Sequence, residues 1–347
     1  MPKKKNKKEL IYYYYDEIND DFAATASIKR RIIDGSYNYL REDKNILWRI
    51  WAGFLHYIIV KPIVHLIMVF GYHYKVVNRK AFKECKKKGC FVYSNHTNYM
   101  PDAYIPNLLA MKRSYVVVNS SAVSIKGLES FVIALGAIPL ADTVDAKKNL
   151  LRLLKNRSKD AIIAIYPEAH IWPYYTKIRP FPKASLKYPI MFHTPAYTVT
   201  NCYQRRKFGK RPKMVCYIDG PFYPDYSLDK DAMLDKLYDE VYSTMVKRTE
   251  ESSTYAYRKY VKVDKKEDSN ASNYKNTEKW FCVFICQNYR NMIKLICKIS
   301  YILKELITLD EILENVETIE ELLEELYEKK RIMDACEAQK KNDSKVE

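Results

Sequence analysis

The stretch Ser94-Asn95-His96-Thr97-Asn98-Tyr99-Met100-Pro101-Asp102 sets a histidine and an aspartate on either side of five residues, directly after the apolar run Cys90-Phe91-Val92-Tyr93. A neutral imidazole beside a carboxylate can take a proton from a hydroxyl. The carboxylate selects the tautomer and stabilises the cation that forms. That chemistry makes His96 a candidate general base and Asp102 its orienting partner. A His-x5-Asp spacing also arises from a turn histidine followed by a helix cap. A second block, Ile165-Tyr166-Pro167-Glu168-Ala169-His170, follows another apolar run and leads into the basic segment Lys177-Ile178-Arg179-Pro180-Phe181. A guanidinium suits bidentate contact with phosphate, so Arg179 is the first candidate anion ligand and Lys177 the second.

These residues need elements to position them. From about 74 to 260 short apolar segments alternate with helical ones. The segments Phe91–Ser94, Tyr115–Val118, Ala137–Leu140, Ala161–Tyr166, Tyr197–Cys202 and Lys213–Ile218 read as strands. Ala103–Met111, Ser124–Leu135, Ala146–Asn156, Ala184–Phe192 and Leu228–Glu250 read as helices. Such alternation implies an α/β fold with a mostly parallel sheet flanked by helices. Both chemical blocks then fall past the carboxyl ends of strands, where open α/β sheets place their sites.

The 347 residues carry a net charge of +17 and 31 tyrosines. A basic surface attracts anionic membranes, phosphorylated substrates or nucleic acid, and tyrosine favours membrane–water interfaces. No zinc-finger spacing, RNA-binding aromatic motif or basic-aromatic repeat is present, so nucleic acid is not expected as a partner. The eight cysteines form no C-x-x-C pair, and the Lys-rich N-terminus does not read as a secretory signal. Reduced thiols in a cytosol-facing protein are therefore expected. Cys282, Cys286 and Cys297 read as small apolar residues on a helix, and no metal is expected.

Residues 1–46 read as a basic arm followed by short surface helices. Within 47–72, two apolar runs flank Lys61-Pro62, each too short to span a bilayer. A bent, re-entrant or interfacial helical pair fits, with Arg49, Lys61 and Lys75 reaching towards headgroups. A buried core helix is the alternative. Residues 73–260 hold the α/β domain, and 261–278 read as a linker. Residues 279–335 read as a helical extension, in which Arg290, Lys294 and Lys298 share one helical side. Thr308-x-x-Glu311 and Thr318-x-x-Glu321 have capping-box spacing. Residues 336–347 read as a disordered tail.

Across roughly 72–225 the ordered blocks resemble the glycerolipid acyltransferase family, which includes the 1-acyl-sn-glycerol-3-phosphate acyltransferases. The family pattern runs Asn-His-x4-Asp, Phe-Pro-Glu-Gly-Thr-Arg, a basic Arg-Pro-Phe segment and a Pro-x-x-Pro strand. Here the blocks are Asn95-His96 with Asp102, Tyr166-Pro167-Glu168-Ala169-His170-Ile171, Lys177-Ile178-Arg179-Pro180-Phe181 and a partial Pro195-Ala196-Tyr197-Thr198. Leu135-Gly136-Ala137-Ile138-Pro139-Leu140 resembles the strand before the family's substrate-binding arginine. The resemblance implies acyl transfer from acyl carrier protein or acyl-CoA to a lysophospholipid at the cytoplasmic face of a membrane, without a cofactor. His96 and Asp102 would be catalytic, and Asn95, Glu168, His170, Lys177 and Arg179 would contact substrate. Three departures stand out. His96 and Asp102 are one residue further apart than in the family, which on a continuous helix would swing the aspartate by about 100°. The pair meets only if Tyr99-Met100-Pro101 bulges before a helix starting near Pro101. Ala169-His170-Ile171 replaces Gly-Thr-Arg, and Ala141-Asp142-Thr143 replaces the second arginine. These departures leave open a different lipid acceptor, or a non-catalytic membrane-binding protein of the same fold.

Overall fold

The computed structural model describes residues 11–22, 30–39, 46–83, 85, 88–98, 101–109, 112–124 and 129–264. Apart from 129 and 130, all of these belong to one compact unit. The remaining residues of the N-terminal arm and linker, the helical extension and Cys282, Cys286, Cys297 and Cys336 lie outside them.

A seven-stranded sheet carries the unit. Its strands are β2 (Lys75–Val77), β3 (Cys90–Ser94), β4 (Ser114–Val118), β5 (Ala137–Pro139), β6 (Ile162–Ile165), β7 (Ala196–Gln204) and β8 (Lys213–Phe222). The spatial order is β2-β8-β7-β3-β6-β4-β5. Five neighbouring pairs are parallel, and β7–β8 is antiparallel. The α/β expectation holds, and each of the six expected strands is present within a few residues. The central strands β3 and β6 are buried at every position, as befits a strand covered on both faces.

Helices α3 (Pro101–Leu109), α5 (Val144–Arg157), α6 (Lys187–Phe192) and α7 (Lys230–Ser252) match four expected segments, and α4 (Glu129–Ala134) lies within the fifth. Thr143 caps α5 through Ala146 N–H, and Asp229 caps α7 through the amides of Asp231 and Ala232. In the core, Leu150 and Leu154 of α5 and Leu237, Val241 and Met245 of α7 join Phe91, Tyr93, Ile163 and Ile165 of the sheet. Gly136 turns the chain into β5 at φ +100°, and a Cβ there would stand 2.5 Å from the Ser114 carbonyl oxygen.

Three local expectations are corrected. The stretch 47–72 does not break at Lys61-Pro62. Helix α1 (Ile46–Phe54), a π-helical segment at Leu55–Val60 and helix α2 (Lys61–Tyr72) form one continuous helical run. Lys61 N–H bonds the carbonyl of His56, five residues back, and this wider turn directly precedes Pro62. Proline has no N–H to give, and a widened turn relieves the clash of its ring with the preceding turn. The run Ile46–Tyr72 is the one described helix long and apolar enough to cross a membrane. Ile46, Leu47, Ile50, Ile58, Leu66 and Phe70 are exposed on it.

The expected short surface helices fall in part on residues 23–29 and 40–45, outside the described ones, and the described element nearest the N-terminus is strand β1 (Ile11–Tyr14). It pairs in parallel with β9 (Lys259–Lys262), which takes in the first residues of the expected linker. Tyr12 stacks on Tyr260 with ring centroids 5.1 Å apart. The partners are distant in sequence, so no local pattern announces them. Strand β2 is likewise short and exists through its pairing with β8. Finally, Cys85 and Cys90 are joined by a disulfide, where reduced thiols are expected. The turn before β3 brings their Cα atoms to 5.9 Å, within bridging range. Cys202 and Cys216 are free and buried.

Candidate active site

The register of β3 and β6 brings the two blocks together. Tyr93 pairs with Ile165, so Ser94-Asn95-His96 and Tyr166-Pro167-Glu168 leave the sheet side by side at its carboxyl end. Backbone bonds then zip the two exits to each other. Trp172 N–H donates to the His96 carbonyl at 3.0 Å, and Tyr174 N–H to the Thr97 carbonyl at 2.9 Å.

His96 Nδ1 lies 2.9 Å from Asp102 Oδ2 despite the extra residue between them. Residues 95–98 are non-helical, and α3 begins at Pro101. The same Oδ2 accepts the amides of Thr97 and Asn98, each at 2.8 Å, so the chain wraps the carboxylate before the helix starts. Asp102 is fully buried, whereas the His96 side chain keeps 19% of its exposure. With Nδ1 held by Asp102, Nε2 is the ring nitrogen left for chemistry. Burial pushes the Asp102 carboxyl above its ordinary pKa, against the opposing pull of His96 and the two amides.

Glu168 is buried behind the histidine. One oxygen accepts His96 N–H at 3.1 Å, and the other accepts Arg179 N–H at 3.0 Å. Burial raises its pKa as well, with Arg179 as the chief opposing influence. Glu168 thus braces the backbone of the general-base candidate.

Arg179 is fully buried, and its guanidinium is 4.9 Å from the Trp172 ring centroid. It donates to the carbonyls of Glu17, Glu168 and His170 and contacts a Glu168 oxygen at 3.4 Å. The structure therefore places it as an internal strut instead of an open phosphate ligand. Asn95 is also fully buried. Its side chain donates to the Asn201 carbonyl at 3.0 Å and accepts Asn201 N–H at 2.8 Å, which extends the β3–β7 pairing beyond the end of β3. His170 Nδ1 is 3.3 Å from Asp21 Oδ2. Lys177 is exposed and borders a cavity of about 330 Å³ with Thr176, Ile178, Tyr242, Val246 and Glu250. Neither His96 nor Asp102 lines that cavity.

Sequence reasoning missed several supports. The Tyr166 hydroxyl donates to the Asp102 carbonyl, and its ring lies 4.7 Å from that of His96. Asn201 Nδ2 approaches Asp102 Oδ1 at 3.4 Å, and the Cys216 thiol donates to Asn201 Oδ1 at 2.8 Å. Tyr203 meets Thr97 Oγ1 at 2.7 Å and accepts from Asn98 Nδ2. The tyrosine after the β6 run was a visible signal. Asn201 and Tyr203 had none, because they lie inside what reads as an ordinary strand. Among the described residues, no His/Cys/Asp/Glu group is clustered to hold a metal ion.

No protein-family profile matches this chain. No curated protein matches it either. Among solved structures, the 1-acyl-sn-glycerophosphate (LPA) acyltransferase PlsC from Thermotoga maritima is similar at 17% identity and a TM-score of 0.39. The match covers 58% of this chain and 89% of that one. A similarity of that size assigns neither family nor activity.

Proposed function

We propose that this chain is a membrane-associated O-acyltransferase. It moves a fatty acyl group from acyl carrier protein or coenzyme A to a lysophospholipid hydroxyl in phospholipid biosynthesis, with 1-acyl-sn-glycerol-3-phosphate as the first acceptor to test. The observation that carries this reading is the 2.9 Å contact between half-buried His96 and buried Asp102, formed across five intervening residues. A turn histidine with an unrelated helix cap has no need of that contact. Its presence also counts against a non-catalytic scaffold.

In the proposed step, His96 Nε2 takes the acceptor's hydroxyl proton as its oxygen attacks the thioester carbonyl. The tetrahedral intermediate collapses with cleavage of the C–S bond, and the imidazolium returns the proton to the departing thiolate. Asp102 holds the tautomer and offsets the imidazolium charge. Glu168 fixes the His96 backbone. The amides of His96, Thr97 and Asn98 are already bound to carboxylates, so oxyanion donors come from the amides of the first turn of α3. Lys177 and His170 remain the candidate acceptor contacts. Asn95 and Arg179 act by positioning. The burial of Arg179 favours a second acceptor class, lysolipids without a phosphomonoester.

The test compares wild type with His96→Ala, supplied with both donor types and a panel of lysolipids, with products read by mass spectrometry. The expected result is an acylated product that falls by a factor of roughly 10² or more in the variant. A folded wild-type protein that yields no His96-dependent product with any acceptor would overturn the proposal.

A further inference from the structure

The loop between β7 and β8 reads Arg205-Arg206-Lys207-Phe208-Gly209-Lys210-Arg211-Pro212, and Lys213 opens β8. These nine residues contain six cations and no carboxylate. Among the described residues none of the six is ion-paired, whereas Arg248 and Lys236 meet carboxylates at 2.6 and 2.7 Å. Phe208, at 80%, is the most exposed of the large apolar side chains described. Lys207 Nζ lies 5.6 Å from its ring centroid, and Gly209 turns the chain at φ +85°.

The base of the loop is tied down while its apex is free of carboxylates. Arg205 lies over the Tyr255 ring, and the Tyr255 hydroxyl donates to the Lys210 carbonyl at 3.1 Å. Arg206 donates to the Pro212 carbonyl at 3.0 Å and to the Gly71 carbonyl at 2.6 Å. Gly71 is the penultimate residue of α2, next to Phe70, which is 73% exposed. The cationic loop therefore adjoins the exposed apolar end of the Ile46–Tyr72 helix. It also adjoins the site through β7, whose Tyr203, two residues before Arg205, meets Thr97 Oγ1 at 2.7 Å.

We infer that the β7–β8 loop is a second membrane-docking element, in which Lys207, Lys210 and Arg211 meet anionic lipid headgroups and Phe208 enters the headgroup–acyl boundary. An aromatic ring flanked by cations fits that boundary on both counts. A nucleic-acid backbone or an acidic protein would satisfy the cations. Neither would cover the apolar helix end beside them. This inference rests on the reading of Ile46–Tyr72 as membrane-associated and does not require the acyl-transfer reading.

The experiment is flotation of the full-length chain on phosphatidylcholine vesicles, with and without phosphatidylglycerol. Combined Lys207→Gln, Lys210→Gln and Arg211→Gln substitution should lower partition onto the phosphatidylglycerol vesicles by about 100-fold. Partition onto pure phosphatidylcholine should be unchanged. Phe208→Ser should lower both by about 10-fold or more. Exchange of Lys207 and Lys210 for arginine keeps the charge and should bind as wild type, which separates electrostatics from misfolding. The inference is overturned if the glutamine variant floats like wild type. It is equally overturned if the three cations serve a nucleic-acid duplex or an acidic protein while vesicle binding is unaffected by their loss. Absence of wild-type binding to neutral vesicles would overturn it as well, because the apolar helix end and Phe208 must bind without anionic lipid. His96-dependent acylation measured in detergent is independent of all these outcomes.

Discussion

The carboxyl ends of β3 and β6 and the loop between β7 and β8 treat charge in opposite ways. At the strand ends, Asp102 and Glu168 are taken out of water, and each is surrounded by donors from neighbouring backbone and side chains. In the loop, six cations stand without carboxylate partners among the described residues. A buried charge is tolerated only inside a complete set of partners, so every partner becomes part of its geometry. An exposed charge keeps its hydration, and its position matters little until an external surface arrives. The first region is built to hold one arrangement, and the second to meet something outside the chain.

The comparison breaks most readily at Glu168. Glu168→Ala leaves the Arg179 guanidinium buried without its carboxylate and frees the amides of His96 and Arg179. Loss of one member of a buried pair costs about 3–5 kcal/mol, so a large drop in melting temperature is expected. Replacement of Lys207 by alanine, in the loop, should leave the melting temperature within error. Equal sensitivity at the two positions would erase the distinction.

Asp102→Asn sharpens the comparison through pH. Activity should fall roughly 10³-fold, because the His96 tautomer and cation lose their support. Stability should respond differently. The folded-state pKa of Asp102 is raised by burial, so the folded protein holds this proton at pH values where the unfolded chain has released it. The group's stabilising contribution is therefore complete below the ordinary aspartate value and is lost as pH rises through the raised one. The stability of wild type relative to Asp102→Asn should accordingly increase as pH is lowered from neutral through that window. Thermal unfolding at a series of pH values measures it, and a difference independent of pH would contradict the assignment.

The smallest effect concerns backbone strain. Ala169 closes the turn after Glu168 at φ +62°, a left-handed conformation that costs a residue with a Cβ about 1–2 kcal/mol. Glycine pays more entropy on folding, so Ala169→Gly should raise stability by only about 1 kcal/mol or less. A lower melting temperature in that variant would show that the alanine methyl packs usefully in the turn.

The order of amino acids alone makes the six main strands, the two chemical blocks and their exit from strand ends legible. Short buried strands betray themselves as apolar runs, and that signal is local. It also supplied the condition on the extra residue between His96 and Asp102, and a helix that starts at Pro101 meets it. The strands β1, β2 and β9 were illegible because their pairing partners are remote in sequence or contribute only a few residues. Tertiary structure decided the rest. The basic segment offered Arg179 as an anion ligand, but packing of Trp172 and the carbonyls of Glu17, Glu168 and His170 around it made it a strut. Asn95 looked available to substrate until Asn201 of β7 bonded both ends of its amide. The register of β3 against β6 carried Glu168 to the His96 amide. Residue type states what a side chain can bond to. Only the fold decides which partner is within 3 Å once water has been excluded.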